Sequence, residues 1–220
     1  METTTATYKT ALRWPALTRF YDTIMALTMR ERAFRGALIA QLRGNPPSSV
    51  LDVGCGTGTL TLLLRQAFPE ATLVGVDGDE TALQLARQKA GAAVGKPVRF
   101  KQGWATALPF KHESWDASVC SLLFHHLPDA DKRRTLLEIR RVLQPGGTLV
   151  VADWGPPANP LMGFLFTGLQ LFDGFDTTTA NRRGQLPGLM EEAGFAHVQR
   201  TQRFNTAFGT LDILQGEKPL

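Results

Sequence analysis

The chain has 220 residues, 43% of them hydrophobic, enough to bury one sizeable core, and a single domain spanning 1–220 is expected. Its formal net charge of +4 comes from basic residues scattered along the chain, so no basic run marks a nucleic-acid surface. Two cysteines, Cys55 and Cys120, exclude a disulfide framework and a cysteine-based zinc site, and they favour a reducing, cytoplasmic setting.

Residues 1–13 are polar and threonine-rich, unlike a secretory signal. From Trp14 to Leu42, apolar residues at Phe20, Ile24, Leu27, Phe34, Leu38 and Leu42 recur at helical spacing, with Thr28 and Gly36 suggesting two helices. Gly44-Asn45-Pro46-Pro47 then breaks the chain as a turn. Strand one is expected over Ser49–Val53, and it runs into Gly54-Cys55-Gly56-Thr57-Gly58 before a leucine-rich helix from Thr59 to Phe68. Glycines permit positive φ and close approach of a ligand, while the helix start presents unpaired N–H groups. The spacing departs from the dinucleotide fingerprint G-x-G-x-x-G, because Thr59 stands where its third glycine belongs, so an NAD-dependent oxidoreductase is the secondary reading.

With Asp52 two positions before G-x-G-x-G, the segment resembles the first motif of the class I S-adenosylmethionine-dependent methyltransferases, and within them the ubiquinone/menaquinone C-methyltransferase-like small-molecule branch. The resemblance implies S-adenosyl-L-methionine as cofactor, held by Asp52, Gly54, Cys55, Gly56, Thr57 and Gly58. It also implies an N-terminal helical cover over 1–45, in which Tyr21-Asp22 matches a cofactor-facing pair. An amphipathic helix merely covering the sheet accounts for Tyr21 equally well.

Strand two, Thr72–Val76, ends at Asp77-Gly78. A carboxylate there can accept hydrogen bonds from both ribose hydroxyls of an adenosyl group, and Asp79 is the better placed cap for the following helix, Thr81–Ala90. Strand three, Val98–Lys101, leads to Gly103-Trp104-Ala105, where the resembling family has an acidic or amide residue in the place of Trp104. Either the backbone of Trp104 and Ala105 reads the adenine edge, or the indole lies on the purine, or it fills core.

Strand four, Trp115–Cys120, opens into Ser121 and then His125-His126. Ligands in open parallel sheets lie beyond the carboxyl ends of the strands, so these residues face the chemistry. By the resemblance Ser121 contacts the cofactor's methionine end, His126 lies on its cofactor side, and His125 stands near the acceptor as the candidate base. Two adjacent histidines, with only His112 and His197 elsewhere, make no metal-ligand pattern.

The helix beginning at Asp129 or Asp131 carries Lys132, Arg133, Arg134, Arg140 and Arg141 on what reads as a solvated face. Gln144-Pro145-Gly146-Gly147 stops it, and strand five follows as Thr148–Ala152. Residues 155–184 form a lid insertion whose Phe164, Phe166, Phe172 and Phe175 either wall an apolar acceptor pocket or dock into the core or a dimer partner. A helix over Gln185–Ala193 and strands over Phe195–Phe204 and Thr206–Leu214 complete the chain.

The expected fold is therefore α/β: a Rossmann-like, seven-stranded, mostly parallel sheet with helices on both faces and the last strand antiparallel. The expected reaction is methyl transfer to a small apolar or aromatic acceptor, quinone-, phenol- or lipid-like. A non-catalytic S-adenosylmethionine-binding member of the same fold is the further alternative. Monomer and homodimer are both open, and a basic surface with an apolar lid leaves room for peripheral contact with a membrane.

Overall fold

The computed structural model describes residues 30–91 and 96–220. The expected helix before Arg30, with Tyr21 and Asp22, lies outside them. Seven strands form one sheet in the order β3-β2-β1-β4-β5-β7-β6, with β1 Ser49–Val53, β2 Thr72–Asp77, β3 Arg99–Gln102, β4 Trp115–Ser121, β5 Leu143–Trp154, β6 Ala196–Thr206 and β7 Gly209–Glu217. β1 pairs in parallel with both β2 and β4, β4 with β5, and β7 runs antiparallel between β5 and β6. The strand order thus reverses between β1 and β4, which opens a crevice at their carboxyl ends.

Helices cover both faces. α1 (Glu31–Ala40) lays Phe34, Leu38 and Ile39 against one face, and α2 (Thr59–Ala67) adds Leu60 and Leu64. α3 (Glu80–Gly91) and α4 (Asp129–Val142) lie on the other face, where Leu136, Ile139 and Val142 pack on Leu51, Val53 and Val151. α5 (Pro160–Asp173), α6 (Phe175–Arg182) and α7 (Leu186–Glu192) follow β5. The near-continuous apolar runs of β1, β4 and β5 are what a parallel sheet covered on both faces requires.

Three expectations are corrected. The N-terminal break falls at Arg30, whose φ of 53° ends the preceding segment, whereas Gly36 lies inside α1. β5 begins at Leu143, because the Gln144–Gly147 segment is itself paired: Gly146 N donates to Lys218 O (2.8 Å) and Lys218 N to Gly147 O (2.9 Å). Lys132 is not on a solvated face. It is fully buried, and its ammonium donates to Leu127 O (2.9 Å), Asp129 Oδ1 (3.1 Å) and Thr177 O (2.6 Å), tying α4 to α6. A buried ammonium needs such oxygens around it, which helical periodicity alone does not reveal.

Gly58 shows why the loop before α2 is glycine-rich. Its φ is +76°, and a Cβ there would lie 2.7 Å from Phe100 and 2.9 Å from Ala86. Gly58→Ala should destabilise the protein by about 1–3 kcal/mol in urea denaturation, with an unchanged parent-like midpoint contradicting the packing account.

Candidate functional site

The crevice is built first from a buried carboxyl group. Asp52, next to last in β1, is 1% exposed, and its Oδ2 accepts from Thr61 Oγ1 of α2 at 2.6 Å. Its Oδ1 is buried and has no hydrogen-bond donor among the described residues. Burial pushes this carboxyl up to about 7, against the opposing pull of the Thr61 hydroxyl and the Arg35 guanidinium of α1.

The glycine loop folds over the end of β2, with Gly54 N and Cys55 N both donating to Val76 O (2.8 and 3.1 Å). Its three glycines all have positive φ, but their surroundings differ. A Cβ at Gly54 would strike Leu123 at 2.8 Å, whereas one at Gly56 meets nothing within 4 Å. Gly56 therefore borders open space, while Gly54 and Gly58 serve packing. The Cys55 thiol is turned under the loop, where it would be 2.7 Å from a Cβ on Gly75, and burial drives its pKa far up. Only the backbone of Cys55 borders the crevice edge. Thr57 Oγ1 accepts from Lys89 Nζ (2.8 Å) on the outer side of the loop.

Asp77 closes the second side. Its Oδ2 accepts from Gly56 N (2.8 Å) and its Oδ1 from Asp79 N (2.9 Å), so the carboxylate is held by the loop it faces. Burial raises its pKa, and those backbone bonds oppose the rise. Asp79, as expected, is the helix cap: its Oδ1 accepts from Thr81 N (2.8 Å) and Ala82 N (3.3 Å). The Trp104 ring lies against Gly78, where a Cβ would come within 2.7 Å of it, yet 54% of the residue is exposed. Core filling is thus excluded for Trp104. Its carbonyl accepts from Ala107 N (3.0 Å), so Gly103, Trp104 and half-buried Ala105 form a tight turn beside Asp77, whose carbonyl accepts from Gly103 N (3.0 Å).

The third side is the end of β4. Ser121 Oγ is buried and has no partner among the described residues. Leu122 has φ +57°, a conformation uncommon outside glycine, and it turns the chain sharply into a 3-10 turn over Phe124–His126. His125 is 4% exposed, and its Nδ1 lies 2.9 Å from Asp153 Oδ1 at the end of β5. Asp153, 1% exposed, also accepts from Phe124 N (2.7 Å, Oδ2), Trp154 N (2.7 Å, Oδ1) and Asn181 Nδ2 (3.1 Å, Oδ1). Burial alone would raise this carboxyl; the His125 ring and the two backbone N–H groups bring it below the usual carboxylate range. His126 is exposed and stacks on His125 with centroids 3.9 Å apart, and positive charge on His125 lowers its pKa.

The structure thus brings Asp52, the loop glycines, Asp77, Gly78, Trp104, Ser121 and His125 to one edge of the sheet. Asp153, Asn181, Arg35 and Leu122 belong to the same edge and are not among the residues expected from sequence. An acidic residue closing β5 is the one sequence signal that could have found Asp153. Among the described residues, no group of three His, Cys, Asp or Glu could hold a metal, and no helix is long and apolar enough to cross a membrane. The lid expectation splits: Phe166 of α5 is fully buried in the core, while Phe164 (76%) and Phe175 (51%) are exposed.

The sheet, the glycine loop and the acidic pair Asp52 and Asp77 define a class I S-adenosylmethionine-dependent methyltransferase, and S-adenosylmethionine is its cofactor. A methyltransferase domain family matches residues 50–147. The chain is 40% identical over 136 residues to a demethylmenaquinone methyltransferase of Deinococcus radiodurans, covering 62% of this chain and 55% of that one. It is 37% identical to the demethylmenaquinone methyltransferase of Thermus thermophilus (71% and 67% covered). With a ubiquinone/menaquinone biosynthesis C-methyltransferase of Syntrophotalea carbinolica it shares 31% identity (77% of each). The chain belongs to this ubiquinone/menaquinone C-methyltransferase-like branch. The alignment to the first of these relatives spans little more than half of that protein's length. The fold is shared with the YcgJ protein of Bacillus subtilis, at TM-score 0.68 and 21% identity over 84% of this chain and 98% of that one. Neither an oxidoreductase nor a non-catalytic protein finds support among these relatives.

The buried Asp52 carboxyl generates a pH prediction. Its folded-state pKa lies above the unfolded value of 3.8, so its contribution to stability is intact below about pH 4 and is lost as pH rises through about 7. At pH 8 the loss is on the order of 4 kcal/mol. Asp52→Asn cannot ionise, so urea denaturation should find it more stable than the parent at pH 8 and about equal at pH 4. Equal stability at pH 8 would contradict a raised pKa.

Proposed function

We propose that the protein transfers a methyl group to a ring carbon of a small quinol- or phenol-like acceptor, with His125 as general base. The observation that carries this reading is the buried His125–Asp153 pair at the open edge of the sheet. The names of the relatives support the acceptor class, and the exposed phenylalanines of α5 and α6 support an apolar one.

The crevice suits the cofactor on its own chemistry. Asp52 Oδ1 and Ser121 Oγ are buried polar atoms lacking a described partner, as an amino-acid moiety would satisfy, and Gly56 leaves room for a close approach of ligand to backbone. In this reading Asp52, Gly54, Gly56, Gly58 and Ser121 border the methionine end. Asp77 accepts from the ribose hydroxyls, and Gly78, Trp104 and Ala105 flank the adenine, with the indole as a stacking face. Cys55 and Thr57 contribute backbone, and Tyr21 and His126 complete the surroundings. Residues 1–45 serve as the cover and 155–184 as the lid. When bound, S-adenosylmethionine supplies a methyl group on a positively charged sulfur.

The residues of this chain do the rest. With Nδ1–H donated to Asp153, the imidazole lone pair sits on Nε2, where it can accept the proton of a ring hydroxyl. Loss of that proton raises the electron density of the neighbouring ring carbon. Asp153 then stabilises the imidazolium that forms. Orientation of the acceptor by the lid contributes the larger share, since alignment alone can supply about 7–11 kcal/mol. Both cysteines are buried and unpaired, which supports a reducing, cytoplasmic location.

The test uses methyl-labelled S-adenosylmethionine and a chemically reduced short-chain naphthoquinone. Label should enter the ring, and His125→Ala should lower turnover by about 10²–10⁴-fold while S-adenosylhomocysteine affinity stays near that of the parent. Undiminished turnover would refute the base. Asp77→Ala should instead weaken S-adenosylhomocysteine binding by about 1.5–3 kcal/mol in calorimetry, and unaltered affinity would refute the ribose assignment.

A further inference from the structure

The lid helix α6 reaches directly into the base. Asn181, near its end, is 1% exposed, and its Nδ2 donates both to Asp153 Oδ1 (3.1 Å) and to Trp154 O (3.3 Å). Both partners are acceptors, so the amide must present its NH₂ group to them. The other end of the amide, Oδ1, is buried with no donor among the described residues. A side chain kept for packing alone would not need to leave that oxygen unsatisfied, because an apolar residue of the same size would avoid the loss.

The helix itself is anchored on two sides. Thr177 O accepts from the buried Lys132 ammonium at 2.6 Å, and Lys132 also binds Leu127 O directly after the histidine turn. Toward α5, Gln170 Nε2 donates to Thr178 Oγ1 (3.0 Å), and Arg182 donates to Thr167 Oγ1 (2.9 Å) and Gln170 Oε1 (2.5 Å). The lid pair and the turn that carries His125 are therefore one hydrogen-bonded body. The groups that titrate or carry charge around His125 are Asp153 from β5 and His126 stacked on the ring, with Lys132 from α4 bound to the same turn at Leu127 O.

We propose that Asn181 is a positioning residue: from the lid helix it fixes the Asp153 carboxylate against His125 Nδ1, and so holds the imidazole as the Nδ1–H tautomer that can act as a base through Nε2. The proposal rests on the reading of His125 as the base, and it makes the state of that base depend on the seating of α6. Asp153 Oδ1 receives three donors, from His125, Trp154 and Asn181, and Asn181 is the one that comes from the lid. Without it the carboxylate can rotate about its remaining bonds, and its charge acts on His125 less offset by a neighbouring N–H.

The test compares the parent with Asn181→Leu and the smaller Asn181→Ala, so that one misfolding variant does not end the experiment. Nitrogen-15 spectra of histidine-labelled protein, recorded without acceptor or cofactor, should show His125 protonated at Nδ1 in the parent and a mixture of tautomers in the variants. The acid limb of the kcat profile should move to higher pH by on the order of half to one unit, and kcat should fall by about tenfold while KM for the acceptor stays put. Combining either change with His125→Ala should cause no further loss of kcat. Parent-like nitrogen spectra and an unmoved acid limb would overturn the proposal, as would losses that multiply in the double variant. If His125→Ala alone keeps full turnover, the base reading fails, and the nitrogen spectra still decide separately whether Asn181 sets the ring.

Discussion

The structure depends on a carboxyl group placed where a parallel sheet can least accommodate it. Asp52 sits within β1, walled by neighbouring strands and by α2, with one oxygen bonded to Thr61 and the other left without a described donor. Burial without full compensation is expensive, and here it shows as a carboxyl pushed up to about 7. The glycine loop, the Asp77 carboxylate and Ser121 are disposed around that vacancy in the hydrogen bonding. Folding alone gives no reason for such an arrangement, whereas a ligand with a cationic amine and hydroxyl groups does.

A second buried carboxylate, Asp153, organises the chemistry in the opposite sense. It is fully satisfied, by a histidine ring, two backbone N–H groups and an amide, and its pKa is correspondingly low. The two carboxyls close β1 and β5, on either side of β4, whose end carries Ser121 and the strained Leu122. One edge of one sheet therefore offers both an incomplete site for a ligand and a completed frame for a base. The lid ties into the completed frame through Asn181 and Lys132.

Much of this was legible in the sequence, for local reasons. The alternation of apolar strand, glycine loop and leucine-rich helix around Gly54–Gly58 depends on neighbours in the chain, and the crossover topology follows from short parallel strands joined by helices. Asp77 and Asp79 could be told apart because capping is a matter of one or two residues. What escaped depends on distant contacts. Lys132 reads as a surface residue until Thr177, forty-five residues away, supplies a carbonyl. Asp153 and Asn181 acquire meaning only when β5 lies beside β4 and α6 folds back on the turn. Trp104 stayed ambiguous because an aromatic residue serves core and ligand equally well until its exposure is known, and the lid phenylalanines divided between both uses.

The most direct measurement is calorimetry of S-adenosylhomocysteine binding near pH 6 in buffers of different ionisation enthalpy. If the ligand's amine takes up the unsatisfied face of Asp52, binding should release about one proton per site near pH 6, fading by about pH 8 and absent in Asp52→Asn. Heats independent of the buffer in the parent protein, or the same proton release in Asp52→Asn, would contradict the account.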